Sequence, residues 1–542
     1  MRRPALFLLF LCVITFFVGL GRPALTDADE AYYAESSREM LERGDWVTPY
    51  FNYEYRWQKP VLYYWLTAIT YTVFGVGEWS ARCWAALSGI ALAFVTYGAG
   101  RRLTRHDDVG WLAGAIVATS FGYFALARMA LPDLPLALFI TITIGAVFER
   151  QWVIAGTAAG LGFLVKGPLA LVLPALVIAP VWWRERDRFR VRPGDVAVAG
   201  AVFAVVGLPW YVAMTMTHGT AYLNSFFIGD NLERFATDRF NEPRSVFFYV
   251  PILLGGLLPW TAYLVTSVWR PVRDLLARRL VLTDAEWRLL LWAGMPLLFF
   301  SLSIGKQPRY ILPVLPPLAI FIARAILLRL DAAYTGQRGA QRDLRIATVA
   351  TAGLFVLVAV LLWRARDLFI NAWPALTWVA IGSLLACAVA LGAAARARHL
   401  RHLPLLLPAC AAFMLIAIQF GVLSGRRPEA VETMATLIQQ HRGANEPVGE
   451  YHVFVRNLVF YLGFRQEYLS TEEGAVAFMR SSRRVLMVVR DTDLPQLESA
   501  ADVRMRRLGE VRYFNSAGLR LSMLLAPEPQ TAIQRVLLVT NR

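Results

Sequence analysis

Long apolar runs alternate with short polar segments along most of the chain. Each run predicts a helix, and together they cover residues 4–21, 79–99, 109–127, 134–149, 152–165, 168–183, 195–217, 246–269, 288–304, 310–328, 345–363, 374–395 and 403–423. Several runs are shorter than the roughly 20 residues of a straight membrane span, so their ends are approximate. The pattern predicts an α-helical polytopic membrane protein with about 13 transmembrane helices.

Arginine-rich loops separate these runs and predict the orientation of the chain, because basic loops stay in the cytoplasm. The loops are 101–108, 184–192, 270–279, 329–345 and 396–402. Counting the apolar segment 61–77 as a span would place every later basic loop outside, so we interpret it as an interfacial or re-entrant helix. The first run could be a signal peptide, but no small-residue cleavage site follows it, which favours an uncleaved first span. The N-terminus is then cytoplasmic and the C-terminus external.

The chain beyond residue 424 has a different pattern. "RVLMVV" (484–489) and "LRLSMLLA" (519–526) are typical of strands, and "NSAG" (515–518) is typical of a hairpin turn. We predict a transmembrane domain over 1–424 and a small extramembrane α/β domain over 425–542. Residues 22–78 form an external loop with interfacial helices, and its amphipathic stretch "ESSREMLERGDW" is predicted to lie along the membrane surface.

Composition supports the membrane assignment and excludes other classes. Hydrophobic residues make up 57% of the 542 residues and charged residues only 17%, yet the formal net charge is +16. The sequence contains no Walker loop, so ATP use is not indicated. No histidine and cysteine cluster suggests a transition-metal site, so no cofactor is indicated, although a metal is not excluded. Basic residues do not alternate with aromatic ones on a soluble surface, which makes nucleic acid an improbable partner.

Acidic residues are concentrated in "TDADEAYYAE" (26–35), on the predicted external side. Acidic residues in the first turn of a helix are stabilised by its dipole, and this explanation is enough for Asp27. For Asp29 and Glu30, with several cations on the same side, we favour catalysis or substrate positioning. Asp133 in "RMALPD" either caps the following helix or pairs with a cation; the sequence leaves both open.

Basic residues on the same side complete the candidate site. The chain has only three lysines, and all three fall there, each just before a proline. The candidate cations are Lys59, Lys166, Arg234, Lys306 and Arg309. One such residue at a span end usually extends its charge toward water. Five of them with two acids indicate a site for an anionic head group, since ammonium and guanidinium groups neutralise phosphate well.

Several stretches together resemble a known family. These are "DEAYYAESSREMLERGDWVTPYF", "QKPVLYYW", "ARMALPDLPLALF", "GFLVKGPLAL", "NLERFATDRFNEPRSVFFYVP" and "SIGKQPRYILPVLPPLAI". They resemble the bacterial aminoarabinose (4-amino-4-deoxy-L-arabinose) lipid A transferases, which have the GT-C membrane fold of the protein O-mannosyltransferases. The sequence departs from that family at two positions. Gln58 precedes Lys-Pro where family members have an acidic residue, and Tyr32 stands where they often have a basic one.

The resemblance implies transfer of a sugar from undecaprenyl phosphate to lipid A at the periplasmic face of the bacterial inner membrane. It implies that Asp29 is the catalytic or positioning carboxylate, that Lys59 and Arg234 hold the carrier phosphate, and that Tyr310 stands near it. Protein or polysaccharide acceptors remain an alternative. A lipid-linked sugar transporter is less favoured, because transporters place ionisable residues near mid-membrane and often carry inverted repeats. A non-catalytic scaffold is a third alternative.

Overall fold

The computed structural model describes residues 2–26, 29–187, 189–237, 244–276, 282–396, 399–423, 426–515 and 518–542. Helices dominate the chain up to residue 423. They are α1 Arg2–Phe17, α2 Asp29–Arg43, α3 Leu62–Phe74, α4 Glu78–Thr104, α5 Asp107–Thr119, α6 Phe121–Ala127, α7 Asp133–Phe148, α8 Trp152–Lys166, α9 Leu169–Glu185, α10 Pro193–Gly207, α11 Pro209–His218, α12 Thr220–Leu223, α13 Arg234–Ala236, α14 Tyr249–Gly256, α15 Thr261–Leu276, α16 Asp284–Leu302, α17 Leu315–Tyr334, α18 Arg338–Ala365, α19 Pro374–Ala394 and α20 Leu403–Ile418.

The predicted helices are confirmed in every apolar run, although several of them are broken. Among the described residues, five helices are long and apolar enough to cross a membrane, or up to eight if each of three bent pairs is one span. The bends fall between α5 and α6, between α10 and α11, and between α14 and α15, the last at 120°. The chain is a polytopic helical membrane protein; the count of thirteen spans stays a prediction.

A mixed sheet follows the last of these helices. Its strands are β3 Val448–Tyr451, β4 Glu467–Leu469, β5 Leu486–Arg490, β6 Arg506–Phe514 and β7 Ile533–Thr540, after the short hairpin β1 Tyr50–Phe51 and β2 Glu54–Tyr55. The sheet order is β4-β3-β5-β7-β6. Strand β3 pairs in parallel with β4 and β5, while β7 is antiparallel to β5 and β6. The intervening helices are α21 Ala430–His441, α22 Leu458–Leu462, α23 Glu472–Met479, α24 Leu494–Ala501, α25 Leu521–Leu525 and α26 Pro529–Ala532.

One of the two predicted C-terminal strands is wrong. The run 484–489 forms β5 as predicted, but 519–526 contains the short helix α25. A short apolar run does not by itself distinguish a strand from a helix, which explains the error. Of the predicted turn over 515–518, residues 516 and 517 lie outside the described part of the chain.

Most of helix α2 is buried within the protein; its predicted position along the membrane surface stays a prediction. It packs against α3, α4 and α22. Arg456 donates a hydrogen bond to the hydroxyl of Tyr32 on α2 (3.1 Å). The loop after α2 is also held, because Asn52 exchanges hydrogen bonds with Gln466 at 2.8 and 2.9 Å. Contacts from residues more than 400 positions away thus cover the amphipathic helix.

Burial of α2 encloses two acidic side chains, Glu35 and Glu39, one helical turn apart. Glu35 pairs with Arg38 at 2.7 Å, and Glu39 accepts a hydrogen bond from the backbone of Tyr53 at 2.9 Å. Burial and the neighbouring charge of Glu35 raise the pKa of Glu39 from 4.5 to about 8. Between about pH 4.5 and pH 8, the folded protein therefore keeps a proton on Glu39 that the unfolded chain releases.

We expect Glu39→Gln to remove a pH dependence of stability. Because the pKa of Glu39 is higher in the folded state, its stabilising contribution is full below about pH 4.5 and is lost as pH rises toward 8. Between pH 5 and 8, the wild type should lose on the order of 3 kcal/mol relative to the Gln variant. Thermal unfolding in detergent across this range measures the difference. The exposed Glu42 on the same helix is the control: Glu42→Gln should show no such divergence, and a constant Glu39→Gln offset at all pH values would contradict the assignment.

Candidate active site

Asp29 and Glu30 begin α2 but face different surroundings, because consecutive helical residues point about 100° apart. The Asp29 carboxylate forms an ion pair with Arg309 and keeps 40% of its side chain exposed. The Glu30 side chain is completely buried. The acidic pair predicted as one catalytic unit is therefore divided between an open site and the protein interior.

A row of alternating charges extends from Asp29. Arg309 lies between two carboxylates, paired with Asp29 Oδ2 and 3.5 Å from Asp133 Oδ2. The other oxygen of Asp133 accepts a hydrogen bond from the Nζ of Lys166 at 2.6 Å. The same Nζ lies 4.9 Å from the centroid of the Tyr310 ring, within cation–π range. The structure thus brings together five predicted site residues.

Helix ends hold this row in place. Asp133 is the first residue of α7 and Lys166 the last residue of α8, so each charge is at the helix end whose dipole stabilises it. Of the two roles left open for Asp133, the structure shows pairing with cations. Gly167 follows Lys166 with a φ of +74°, and a Cβ there would lie 2.6 Å from the Phe226 ring. Glycine is therefore required for the chain to turn between Lys166 and this ring.

A cavity of about 350 Å³ opens beside the row. Its polar wall includes Lys59, Lys166, Asp230 and Tyr310. The remaining wall is largely apolar, with Pro168, Leu169, Val172, Phe226, Phe227, Leu232, Phe235, Phe299 and Phe300. Two lysines in the wall of a largely apolar cavity match an amphipathic anion, with its charge at the lysines and its hydrocarbon against the rings.

Lys59 and Lys306 have different environments. Lys59 lines the cavity and donates a hydrogen bond to the carbonyl of Gln58 at 2.7 Å. Lys306 is only 3% exposed and donates to the carbonyls of Ser303 and Arg244, the latter at 3.1 Å. Burial lowers the pKa of Lys306. Two backbone carbonyls thus accept hydrogen bonds from this ammonium, and the assignment of Lys306 to the carrier phosphate stays a prediction. The side chain of Arg234 lies outside the described part of the chain.

Arg56 is a site residue that the sequence analysis missed. Its guanidinium lies 3.9 Å from the centroid of the Tyr32 ring, and its Nε donates a hydrogen bond to the hydroxyl of Tyr64 at 3.2 Å. Burial by itself would raise the pKa of Asp29, but Arg309 first, then Arg56 and Lys166, hold it below its ordinary value. A basic residue among aromatic ones, three positions before Lys59, was the available signal.

Glu30 has a structural role instead of the predicted catalytic one. Its carboxylate forms a two-point ion pair with Arg82 on α4, at 2.6 and 3.1 Å. It also accepts hydrogen bonds from the backbone of Thr26 and Ala130, both at 3.0 Å. Burial by itself would raise the pKa of Glu30, but Arg82 and these hydrogen bonds hold it below its ordinary value. Both oxygens are occupied, so the carboxylate is not available to a substrate.

Comparison with known proteins tests the family resemblance predicted from the sequence. The profile of the family described as dolichyl-phosphate-mannose-protein mannosyltransferase matches residues 4–218. An undecaprenyl phosphate-α-4-amino-4-deoxy-L-arabinose arabinosyl transferase from Edwardsiella ictaluri is 33% identical over 330 residues, which cover 58% of this chain and 57% of that protein. A second such transferase, from Proteus mirabilis, is 31% identical over 335 residues, 59% of each chain. The predicted resemblance is confirmed.

Solved structures extend the similarity to the whole fold. The crystal structure of ArnT from Cupriavidus metallidurans bound to undecaprenyl phosphate superposes with a TM-score of 0.75 at 23% identity, covering 99% of this chain and 98% of that one. The oligosaccharyltransferase of Archaeoglobus fulgidus has a TM-score of 0.54 at 11% identity, covering 93% and 68%. This chain therefore has the GT-C type of fold. The sequence matches to the curated relatives span less than three fifths of those proteins.

We expect Glu30→Ala to destabilise the protein by about 3–5 kcal/mol, since it leaves the buried Arg82 without its counter-charge. Thermal unfolding in detergent measures the loss. The double variant Glu30→Leu with Arg82→Met removes the uncompensated charge but also the hydrogen bonds of Arg82 to three backbone carbonyls, so it should not restore the wild-type stability. A wild-type unfolding temperature for Glu30→Ala would contradict the structural role.

Proposed function

We propose that this chain is a membrane glycosyltransferase that moves 4-amino-4-deoxy-L-arabinose from undecaprenyl phosphate to lipid A. The observation that carries the proposal is the row Asp29–Arg309–Asp133–Lys166 beside an apolar cavity that Lys59 also lines. The names of the curated relatives supply the sugar and the carrier. The undecaprenyl phosphate bound to the similar ArnT fold supports a polyprenyl-phosphate donor.

We propose that the reaction takes place at the periplasmic face of the inner membrane, with the N-terminus cytoplasmic and residues 425–542 as a periplasmic α/β domain. The site residues come from the start of α2, the start of α7 and the end of α8, all at the same end of the helices. The arginine-rich loops follow α4, α9 and α17, away from that end. This asymmetry supports thirteen spans with basic loops inside.

The proposed mechanism is a single displacement at the anomeric carbon, with inversion. Breaking the bond to the carrier increases the negative charge of the leaving phosphate, and Lys59 and Lys166 stabilise that charge where it develops. Tyr310 lies beside Lys166 and limits the direction from which the phosphate enters. These fixed cations supply the charge neutralisation, so the reaction as proposed needs no metal ion.

Asp29 is proposed to position the acceptor. Its lowered pKa keeps it ionised, and an ionised carboxylate of low pKa is a weak general base at neutral pH. A lipid A phosphate is ionised before it arrives and needs no base. An acceptor hydroxyl would require Arg309 to move away from Asp29 first, which would raise the pKa of the carboxylate.

We expect Asp29→Asn and Lys59→Ala to abolish transfer while the variants insert into the membrane and purify normally. Lys59→Ala removes a charge from the cavity wall and Asp29→Asn removes one from the row beside it, and each should cost at least about 10²-fold in rate. Transfer of labelled sugar from the lipid carrier to lipid A by purified protein measures the effect. Arg465→Ala is the control for loss of charge, because Arg465 is exposed and does not line the cavity. Wild-type turnover in either site variant would refute the assignment.

Acceptor profiling separates the proposal from its nearest alternative. We expect mass spectrometry of envelope lipids from a strain lacking the gene to show lipid A without the aminoarabinose present in the parent. Unchanged lipid A with loss of sugar from a protein or polysaccharide would establish the alternative acceptor. Consumption of carrier-linked sugar in detergent excludes a transporter or scaffold.

A further inference from the structure

Asp29 carries a negative charge at the place where the proposed acceptor, itself an anion, has to approach. Its side chain is 40% exposed, and its pKa is held below the ordinary value, so the carboxylate stays ionised. Like charges in close contact repel each other even near a protein surface. Arg309 pairs with Asp29 but also lies 3.5 Å from Asp133, so one cation is shared between two carboxylates. An anionic acceptor therefore needs a further cation close to Asp29.

Arg56 is an available cation next to Asp29. Its charge contributes to the lowered pKa of Asp29, and its Nε donates a hydrogen bond to the hydroxyl of Tyr64 at 3.2 Å. Among the described residues, the two terminal nitrogens of Arg56 have no hydrogen-bond or ion-pair partner, and neither of them is buried. Lys166, by contrast, already donates to Asp133 at 2.6 Å. The free edge of the Arg56 guanidinium is thus open to a ligand.

Aromatic contacts hold this guanidinium in one orientation. It lies over the ring of Tyr32, 3.9 Å from the centroid, and Phe51 packs against the same ring with its centroid at 4.4 Å. The hydroxyl of Tyr32 accepts a hydrogen bond from Arg456 at 3.1 Å. Because the ring and the Nε hydrogen bond already restrict the side chain, little of its freedom is left to lose when a ligand binds. Arg56 is therefore preorganised as well as available.

We propose that Arg56 binds the phosphate monoester of the acceptor lipid, an inference that rests on the proposed transferase function. A phosphate monoester has three terminal oxygens, and the fork of a guanidinium pairs with two of them. The third oxygen attacks the anomeric carbon, and the carrier phosphate leaves with the electron pair of the broken bond. No proton moves in this step, so Asp29 is not needed as a base. Arg56 is not among the residues that line the cavity assigned to the donor, so the two substrates use different cations.

Arg56→Gln tests the charge. The glutamine amide still donates to the hydroxyl of Tyr64, so the variant loses the cation and keeps this contact. Hydrogen bonds to charged groups contribute about 10- to 100-fold in affinity, and we expect KM for lipid A to rise by at least about tenfold. KM for the carrier-linked sugar should stay at the wild-type value, because Arg56 does not line the donor cavity.

Arg43→Gln is the matched control. Arg43 also lies over a tyrosine ring, 4.1 Å from the centroid of Tyr50, and it is exposed. It is the last residue of α2 and Asp29 is the first, so at 1.5 Å per residue the two are about 21 Å apart. The control removes the same charge and the same kind of aromatic contact. It should leave both KM values unchanged.

Arg56→Lys separates anion binding from a structural role. Lysine keeps the charge but loses the Nε hydrogen bond to Tyr64 and the planar contact with Tyr32. If Arg56 binds a phosphate, KM for lipid A rises less in Arg56→Lys than in Arg56→Gln. If Arg56 only holds the two tyrosines, the order is reversed, because glutamine keeps the contact with Tyr64.

Initial rates of labelled-sugar transfer by the full-length protein in detergent measure both KM values, with lipid A and the carrier-linked sugar varied in turn. Thermal unfolding shows that all variants are folded. A wild-type KM for lipid A in Arg56→Gln, or a larger increase in Arg56→Lys than in Arg56→Gln, would overturn the role of Arg56 and leave the proposed function intact. Absence of transfer to lipid A by the wild type would overturn the proposed function and this inference with it.

Discussion

The buried ion pair of Glu30 and Arg82 determines where the candidate active site is built. Arg82 also donates hydrogen bonds to the carbonyls of Leu20, Pro23 and Ala24, so one guanidinium holds the chain entering α2. Glu30 in turn holds the backbone of Ala130, three residues before Asp133. Charges this deep are stable only when paired and hydrogen-bonded, so the pair connects three segments rigidly. Asp29 precedes Glu30 in the chain, so the same ion pair fixes the position of Asp29 beside Arg309.

Lysine and arginine have different environments in this structure. Lys59 and Lys166 are the lysines that line the cavity, where, under the proposed function, a compact ammonium would neutralise a phosphate as a point charge. Arginine is used where planar, two-point pairing is needed, as at Arg82. Lys306 follows neither role: its ammonium binds backbone carbonyls and stabilises the turn before Arg309.

Local patterns in the sequence predict much of the fold, and long-range contacts account for what they miss. Apolar runs predict the helices because each needs only its own composition. The grouping of Asp29, Asp133, Lys166 and Arg309 follows from membrane sidedness and the family resemblance. The burial of α2 does not follow from local patterns, because Arg456 and α22 contact this helix from the other end of the chain. Arg82, a lone charge in an apolar run, was the one local signal that a buried carboxylate had to face it.

The charges beside the cavity set the condition for the proposed catalysis. Arg309 and Lys166 match the two carboxylates of Asp29 and Asp133, so this row is neutral by itself. Lys59 and Asp230, of opposite charge, line the cavity next to the row. Under the proposed function, cleavage of the carrier phosphodiester gives the phosphate a second negative charge. Lys59 and Lys166 would stabilise that charge more in the transition state, where it develops, than in the bound donor, which is the condition for catalysis by fixed charges.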